Sequence, residues 1–549
     1  MAKLEGDNGL IVEVTKRGPD ATELAVLSSA VLAHPAVAEQ LRGTEHRMLS
    51  LLPVEIHPEP KIPGVTAAIH PEPKLTATPP PAEFFQALIY DYTNNRTVTA
   101  RGRLADLSDV AVSHSAQHPH VTAAEFQAAG ALLLADPEIG PAIQRGEIRL
   151  YRAMPPLSLI EQPDGRHHRG IPVGIEVLSP GPGQDRHRSV VVDMVAHRVI
   201  HNPAGVFSGC AKQCGSPEGT CTYDGGTGGE VHLTVSDSGT KIWDLVVLRP
   251  SASSGTNGSG IELRYVDYRA TRVLYRAHVP ILNVEYPNPE CNCGPTFRDQ
   301  NNEENGFHAT GTDVIPGFRL CTSPATTIVD NGVDGGNFHG VAIWIEGDEV
   351  VLESVTSAGW YRYASQWRLG RDGTIRPRYG FAAISNACTC LIHHHHVYWR
   401  LDFDIAEPGD NQVQEFNDPP IVGDDNWHTK RYEVRRPRDA THQRKWRVRH
   451  EDRGRGYEIR PGPNDGDADA GYGIGDLWVL RYHPDEIDDG VALYERDPAK
   501  SMEHIERFMN GEAVDEEDVV IWYAGHFRHD VAHQAGELLG PDLVPFGWR

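Results

Sequence analysis

No apolar run in the 549-residue chain reaches the roughly 18 residues that a membrane-spanning helix needs. The opening residues, MAKLEGDNGL, lack the basic-then-apolar pattern of a secretory leader, which leaves the cytoplasm as the default location. Basic residues are in the minority: 51 Lys and Arg stand against 76 Asp and Glu, a formal net charge of −25. That balance argues against a nucleic-acid partner and mildly favours cationic ligands. Cysteine is missing from the first 200 residues, and all eight thiols fall at Cys210, Cys214, Cys221, Cys291, Cys293, Cys321, Cys388 and Cys390. The spacing from Cys210 to Cys221 offers three zinc ligands but no fourth at ribbon distance, so disulfides or free thiols are the alternatives. Long amphipathic patterns are scarce as well, whereas Gly (54) and Pro (40) are plentiful, and the two together point to a β-rich fold.

What is present divides the chain. After a tail over 1–19, residues 20–45 carry Leu, Ala and Val at helical spacing, and 46–56 and 83–104 read as strands with an Asn-Asn turn. Between those strands IHPEPK occurs at 56–61 and again at 69–74, before a proline run. Alternating prolines cannot join a sheet interior, so 57–82 reads as an exposed insertion. A second unit over 116–204 opens with a threonine-capped amphipathic helix and continues in strands such as IPVGIEVLS. The expected architecture is therefore two small α+β domains, 20–115 and 116–204, followed by one large all-β sandwich over 205–549.

The chemistry concentrates in that last unit. Residues 388–404 read CTCLIHHHHVYWRLDFD, four histidines opening a run of strand-forming residues. Side chains alternate along a strand, so His393 pairs with His395, or His394 with His396, on a common face. Imidazole suits Cu(II) and Zn(II), and a His-x-His pair places two nitrogens on one ion, leaving a third ligand to come from elsewhere. Strand pairs at 261–282 and 349–375, another strand at 475–483, and the segment 510–533, which carries three histidines just after a strand, complete the pattern.

Four of these stretches resemble the copper amine oxidase family, in the family's order. HHHHVYWRLDFD resembles its His-x-His copper strand, and EEDVVIWYAGHFRH resembles the segment that supplies the third ligand, here His529. SAGWYRYASQW resembles the strand whose tyrosine becomes topaquinone, which falls on Tyr361, and IELRYVDYRATRVLYRAHVP resembles the start of the catalytic sandwich. Anchoring the copper strand on His-Val-Tyr gives His394 and His396, with a deletion between Tyr398 and Arg400. Anchoring on Arg400 gives His393 and His395. The first is preferred. The resemblance implies a copper-dependent oxidoreductase acting on a primary amine and O2, with a quinone at Tyr361. It also implies a peripheral calcium-like site at Asp402 and Asp518, a Cys293–Cys321 disulfide, and a homodimer formed through the sandwich.

Departures accompany it. Trp360 and Arg362 flank Tyr361 where the family has Asn and an acid, and YPNP at 286–289 runs almost directly into Cys291, leaving little room for the segment bearing the catalytic aspartate. Asp299 is a substitute base; His308, His339 and Asp334 are others. Two further functions stay open on this basis: a copper oxidoreductase with an unmodified Tyr361 acting in a different, biosynthetic oxidation, and a non-catalytic copper-binding homologue.

Overall fold

The computed structural model describes residues 2–54, 78–182, 184, 186–201, 214–219, 228–255, 258–285, 296–468, 475–489, 505–533 and 538–548. Most of the proline-rich insertion, the YPNP turn, and Cys210, Cys221, Cys291 and Cys293 lie outside them. Two helix-and-sheet units come first. Helices Ala21–Ala33 and Pro35–Gln40 accompany a four-stranded sheet running from His46–Val54 through Phe84–Asp91 and Arg96–Arg103 to Ala111–Ser115. Helices Ala123–Ala135 and Gly140–Gln144 accompany a five-stranded sheet built around His167–Val177. Both long helices begin at capping boxes, Asp20 with Glu23 and Thr122 with Glu125, which satisfy backbone N–H groups that the first turn leaves unpaired.

Two eleven-stranded sheets make the large sandwich. In the first, Glu262–Tyr268, Thr271–Glu285, His393–Phe403, Val519–His529 and Leu477–Arg481 are successive antiparallel neighbours. In the second, Glu349–Ala358, Tyr361–Gly370 and Ile375–Ala383 form an antiparallel meander. The core lies between the sheets: Leu263, Val397, Leu401 and Ile521 of the first belong to one buried cluster with Leu352, Trp367, Phe381 and Trp446 of the second. Interdigitating inner faces of this kind give a sandwich its dry middle.

The sequence expectation for 1–19 needs correction. That stretch is no tail: Ala2–Glu5 and Leu10–Arg17 are the outer strands of the first sheet, and Leu10–Arg17 pairs with Glu230–Asp237. The physical reason is its alternation, which buries Leu10, Val12 and Val14 on the core face. Cys214 and Cys390 form a disulfide, and Cys388 is disulfide-bonded too. Cys321 is a free, buried thiol, contrary to the bridge that the resemblance implied. No helix among the described residues is long and apolar enough to cross a membrane.

Candidate metal centre

The site forms where the two sheets present strand ends to each other. His393 opens its strand, His529 closes the neighbouring one, and the two are directly paired in register. Along His393–Phe403 the odd positions continue inward as Val397, Trp399, Leu401 and Phe403, all in the inter-sheet core. His393 and His395 therefore point between the sheets, and along Val519–His529 the residues Ile521, Tyr523, Phe527 and His529 do the same. His394 and His396 take the opposite face with Tyr398. His396 Nδ1 lies 2.8 Å from His526 Nδ1, and His526 in turn contacts Asp476. The pair preferred from sequence thus stands apart from His529, and the alternative pair joins it.

Tyr361 comes from the facing sheet. Ala358 and Tyr361 are paired across a two-residue turn, Gly359-Trp360. Gly359 adopts φ +54, a left-handed conformation that glycine accepts without steric cost and that tight hairpin turns require. The turn delivers the Tyr361 hydroxyl to the histidines: Oη lies 2.7 Å from His393 Nε2 and 2.8 Å from His529 Nδ1. His393 Nε2 is in turn 3.2 Å from His395 Nε2 and 3.1 Å from His529 Nδ1.

These separations suit a metal ion. Tetrahedral bonds of about 2.0–2.1 Å to imidazole set neighbouring nitrogens about 3.3 Å apart. The tautomers suit it as well. His393 Nδ1 lies 2.7 Å from the Leu391 carbonyl, which fixes the proton on Nδ1 and turns the Nε2 lone pair to the centre. Burial holds His393 and His395 well below the usual histidine range, and their neighbouring imidazoles add to the effect, so both rings are neutral ligands at ordinary pH. Phe381 stacks on the His395 ring at 4.5 Å and 14°, fixing its plane.

A second layer surrounds this cluster. Tyr363 is two residues beyond Tyr361 and so on the same face of the strand. Its hydroxyl lies 2.9 Å from His395 Nδ1 and 2.6 Å from Asp299 Oδ2. Asp299 is 2% exposed, and burial raises its carboxyl to about 7, partly offset by the Tyr363 hydrogen bond. Asp299 also lines a small cavity with His120, Phe126, Arg152, Met154, Arg298 and the turn residues Ala358 and Gly359. The cavity measures about 20 Å³, little more than one water molecule needs. It shares His120 and Val121 with a cleft of about 1060 Å³ between the small units and the sandwich.

The other substitutes for a base fall elsewhere. His308 is exposed, and Asp334 is bound to Arg362 by two hydrogen bonds of 2.9 and 3.1 Å. That ion pair accounts for the arginine where an acid was expected: its charge is taken up on the far side of the strand from the Tyr361 hydroxyl. Asp402 and Asp518 lie together, joined by Asp404, as a separate group of oxygen donors in which Asp402 also accepts from Arg400.

Comparison with known proteins agrees with this geometry. Residues 376–534 match the family model "Copper amine oxidase, enzyme domain". No curated protein matches the chain by sequence. Among solved structures, the lysyl oxidase of Pichia pastoris superposes with a TM-score of 0.56 at 12% identity, covering 100% of this chain and 91% of that one. An Aspergillus nidulans amine oxidase gives 0.56 at 13%, covering 97% and 88%, and a copper-containing benzylamine oxidase from Hansenula polymorpha gives 0.53 at 12%, covering 99% and 94%. Over residues 376–534, which hold both histidine strands, the chain matches the copper amine oxidase enzyme domain, and its fold as a whole is that of the solved amine oxidases.

Proposed function

We propose that the protein is a copper-dependent oxidoreductase that converts a primary amine, O2 and water to an aldehyde, ammonia and hydrogen peroxide. The observation that carries this is the Tyr361 hydroxyl, within 2.8 Å of two of three converging imidazole nitrogens. Nε2 of His393, Nε2 of His395 and Nδ1 of His529 hold the metal. Copper, when bound, supplies the one-electron and O2 chemistry that oxidises the Tyr361 ring to a quinone and returns the reduced cofactor to it.

The remaining roles belong to the chain's own groups. The buried turn Gly359-Trp360 fixes the ring at the strand end. Asp299, raised to about 7, is the base that takes the proton from the carbon bearing the amine. Its burial keeps bulk water from competing for that carboxylate. Asp402, Asp404 and Asp518 offer hard oxygen ligands for a peripheral calcium ion. A homodimer accompanies the same assignment.

The test is maturation. Apo-protein loaded with copper in air is digested, and the peptide containing Tyr361 is weighed and treated with a quinone-directed carbonyl reagent. A mass gain for conversion of tyrosine to the trihydroxyphenylalanine quinone, with labelling, is expected. An unmodified tyrosine in copper-replete protein overturns the quinone mechanism.

A further inference from the structure

The geometry points to Tyr363 as a positioning residue that ties the carboxylate of Asp299 to the metal-facing imidazole of His395. The inference rests on the three-histidine cluster being a metal centre, and it adds a connection between that centre and the base. Three groups are in line. His395 Nε2 faces the cluster, 3.2 Å from His393 Nε2, so its lone pair is the one available to a metal. The proton of a neutral imidazole then resides on Nδ1, which donates to Tyr363 Oη at 2.9 Å. The Tyr363 hydroxyl, having accepted from His395, donates its own proton to Asp299 Oδ2 at 2.6 Å. Only this polarity leaves Nε2 free for a ligand bond, so the chain runs in one direction from imidazole to carboxylate.

All three side chains are at most 2% exposed, and no bulk water competes for these bonds. A carboxylate that accepts from a ligand histidine is the usual outer support of a metal site; it fixes the tautomer and raises ligand basicity. Here the tyrosine is inserted between the two. One hydroxyl thus serves both sides: it orients Asp299 against the cavity and passes the carboxylate's charge to the metal ligand.

Coupling of this kind is read as non-additivity. Affinity for Cu(II) is measured under argon at pH 8, by competition with a chromophoric chelator, on the unaltered protein, Asp299→Asn, Tyr363→Phe and the double variant. Circular dichroism and the electron paramagnetic resonance spectrum of the bound Cu(II) are recorded for each. Asp299→Asn is expected to weaken binding about tenfold or more when Tyr363 is present, the range for loss of such support, and less than twofold in the Tyr363→Phe background. The copper spectrum should shift in Asp299→Asn although that residue is not a ligand. Equal losses in the two backgrounds, or no loss in either, overturn the inference. Amine-dependent oxygen uptake, assayed separately on the unaltered protein, distinguishes the two failures. A chain that oxidises amines but shows no coupling loses only the Tyr363 connection, and one that binds no copper loses the metal centre and the connection together.

Discussion

Replacing Asp299 with Asn tests the base once copper loading is matched. The two side chains are nearly isosteric, and the amide oxygen still accepts from Tyr363, so the 2.6 Å contact and the burial of residue 299 survive the change. What disappears is the proton acceptor, together with the charge that Tyr363 relays to His395. A positioned base is worth about 10²–10⁴-fold, or about 2.7–5.4 kcal/mol of barrier at about 1.36 kcal/mol per decade. The pH dependence gives an independent sign. The Asp299 carboxyl is raised from its ordinary value to about 7 by burial, so the acid form predominates below that pH and the base form above it. For the unaltered protein kcat/KM, referred to the unprotonated form of the primary amine, should therefore climb with pH, be about 100-fold below its plateau at pH 5, and level off above pH 8. In Asp299→Asn the plateau should drop by two to four decades, on the order of the base contribution, and the limb near pH 7 should vanish. Initial rates of hydrogen peroxide production across pH 5–9, with copper and quinone content matched between the two proteins, measure both. Retention of activity within about twofold of the unaltered protein, or persistence of the same limb, would show that the proton goes elsewhere.

Metal binding should follow the inward face of the strand: His395→Ala and His529→Ala lose stoichiometric copper by elemental analysis, whereas His394→Ala keeps it, and the reverse pattern would restore the other register. Asp334→Ala removes the close carboxylate partner of the fully buried Arg362, leaving Glu218 at 3.8 Å and two backbone carbonyls, and should lower stability by about 3 kcal/mol in urea unfolding; replacing both partners with apolar residues of similar volume should recover most of it. Cys214→Ser opens a crosslink spanning 176 residues. Because Cys388 is disulfide-bonded beside it, the loss should fall at the lower end of the usual range, about 2 kcal/mol by thermal unfolding.

Much of the fold was legible because its signals are local: strand-forming runs, an Asn-Asn turn, capped helices and two histidine segments in a fixed order. The copper register was not, and the reason is burial. A strand with one wet face announces its inward residues by alternation, but all of His393–Phe403 except His394 is buried on both faces, so Trp399 and Tyr398 gave no preference. The opening strands escaped for another reason. LIVEVTKR alternates cleanly and forms a hairpin with Ala2–Glu5 across the Asn8-Gly9 turn, yet the strand that joins this hairpin to the sandwich is more than 200 residues away in sequence. Tyr363 did carry a signal, its spacing of two from Tyr361, which places both rings on one face. Asp299 was visible only as a substitute, since counting residues from YPNP leads away from it, while its approach to Tyr363 depends on the strand Tyr361–Gly370 of the opposite sheet.

The altered motif around Tyr361 separates two requirements that the family's usual sequence combines. Bringing a tyrosine hydroxyl to a metal cluster needs a tight turn and a rigid strand, and Gly359, the ladder from Ala358 to Tyr361 and the packing of Phe381 supply both. Orienting the ring afterwards needs polar partners, and this chain places those differently. Trp360 is buried in the apolar core, its carbonyl accepting from Ile384, and Arg362 turns away to Asp334. On the inward side the polar contacts of the strand instead come from Tyr363, which bonds both the imidazole of His395 and the carboxylate of Asp299. Substitution at positions 360 and 362 therefore leaves the approach of Tyr361 to the histidines intact, and the inward polar contacts fall to a residue two positions on. Arg362 can turn away to Asp334 because, in a strand, it faces opposite to Tyr361 and Tyr363.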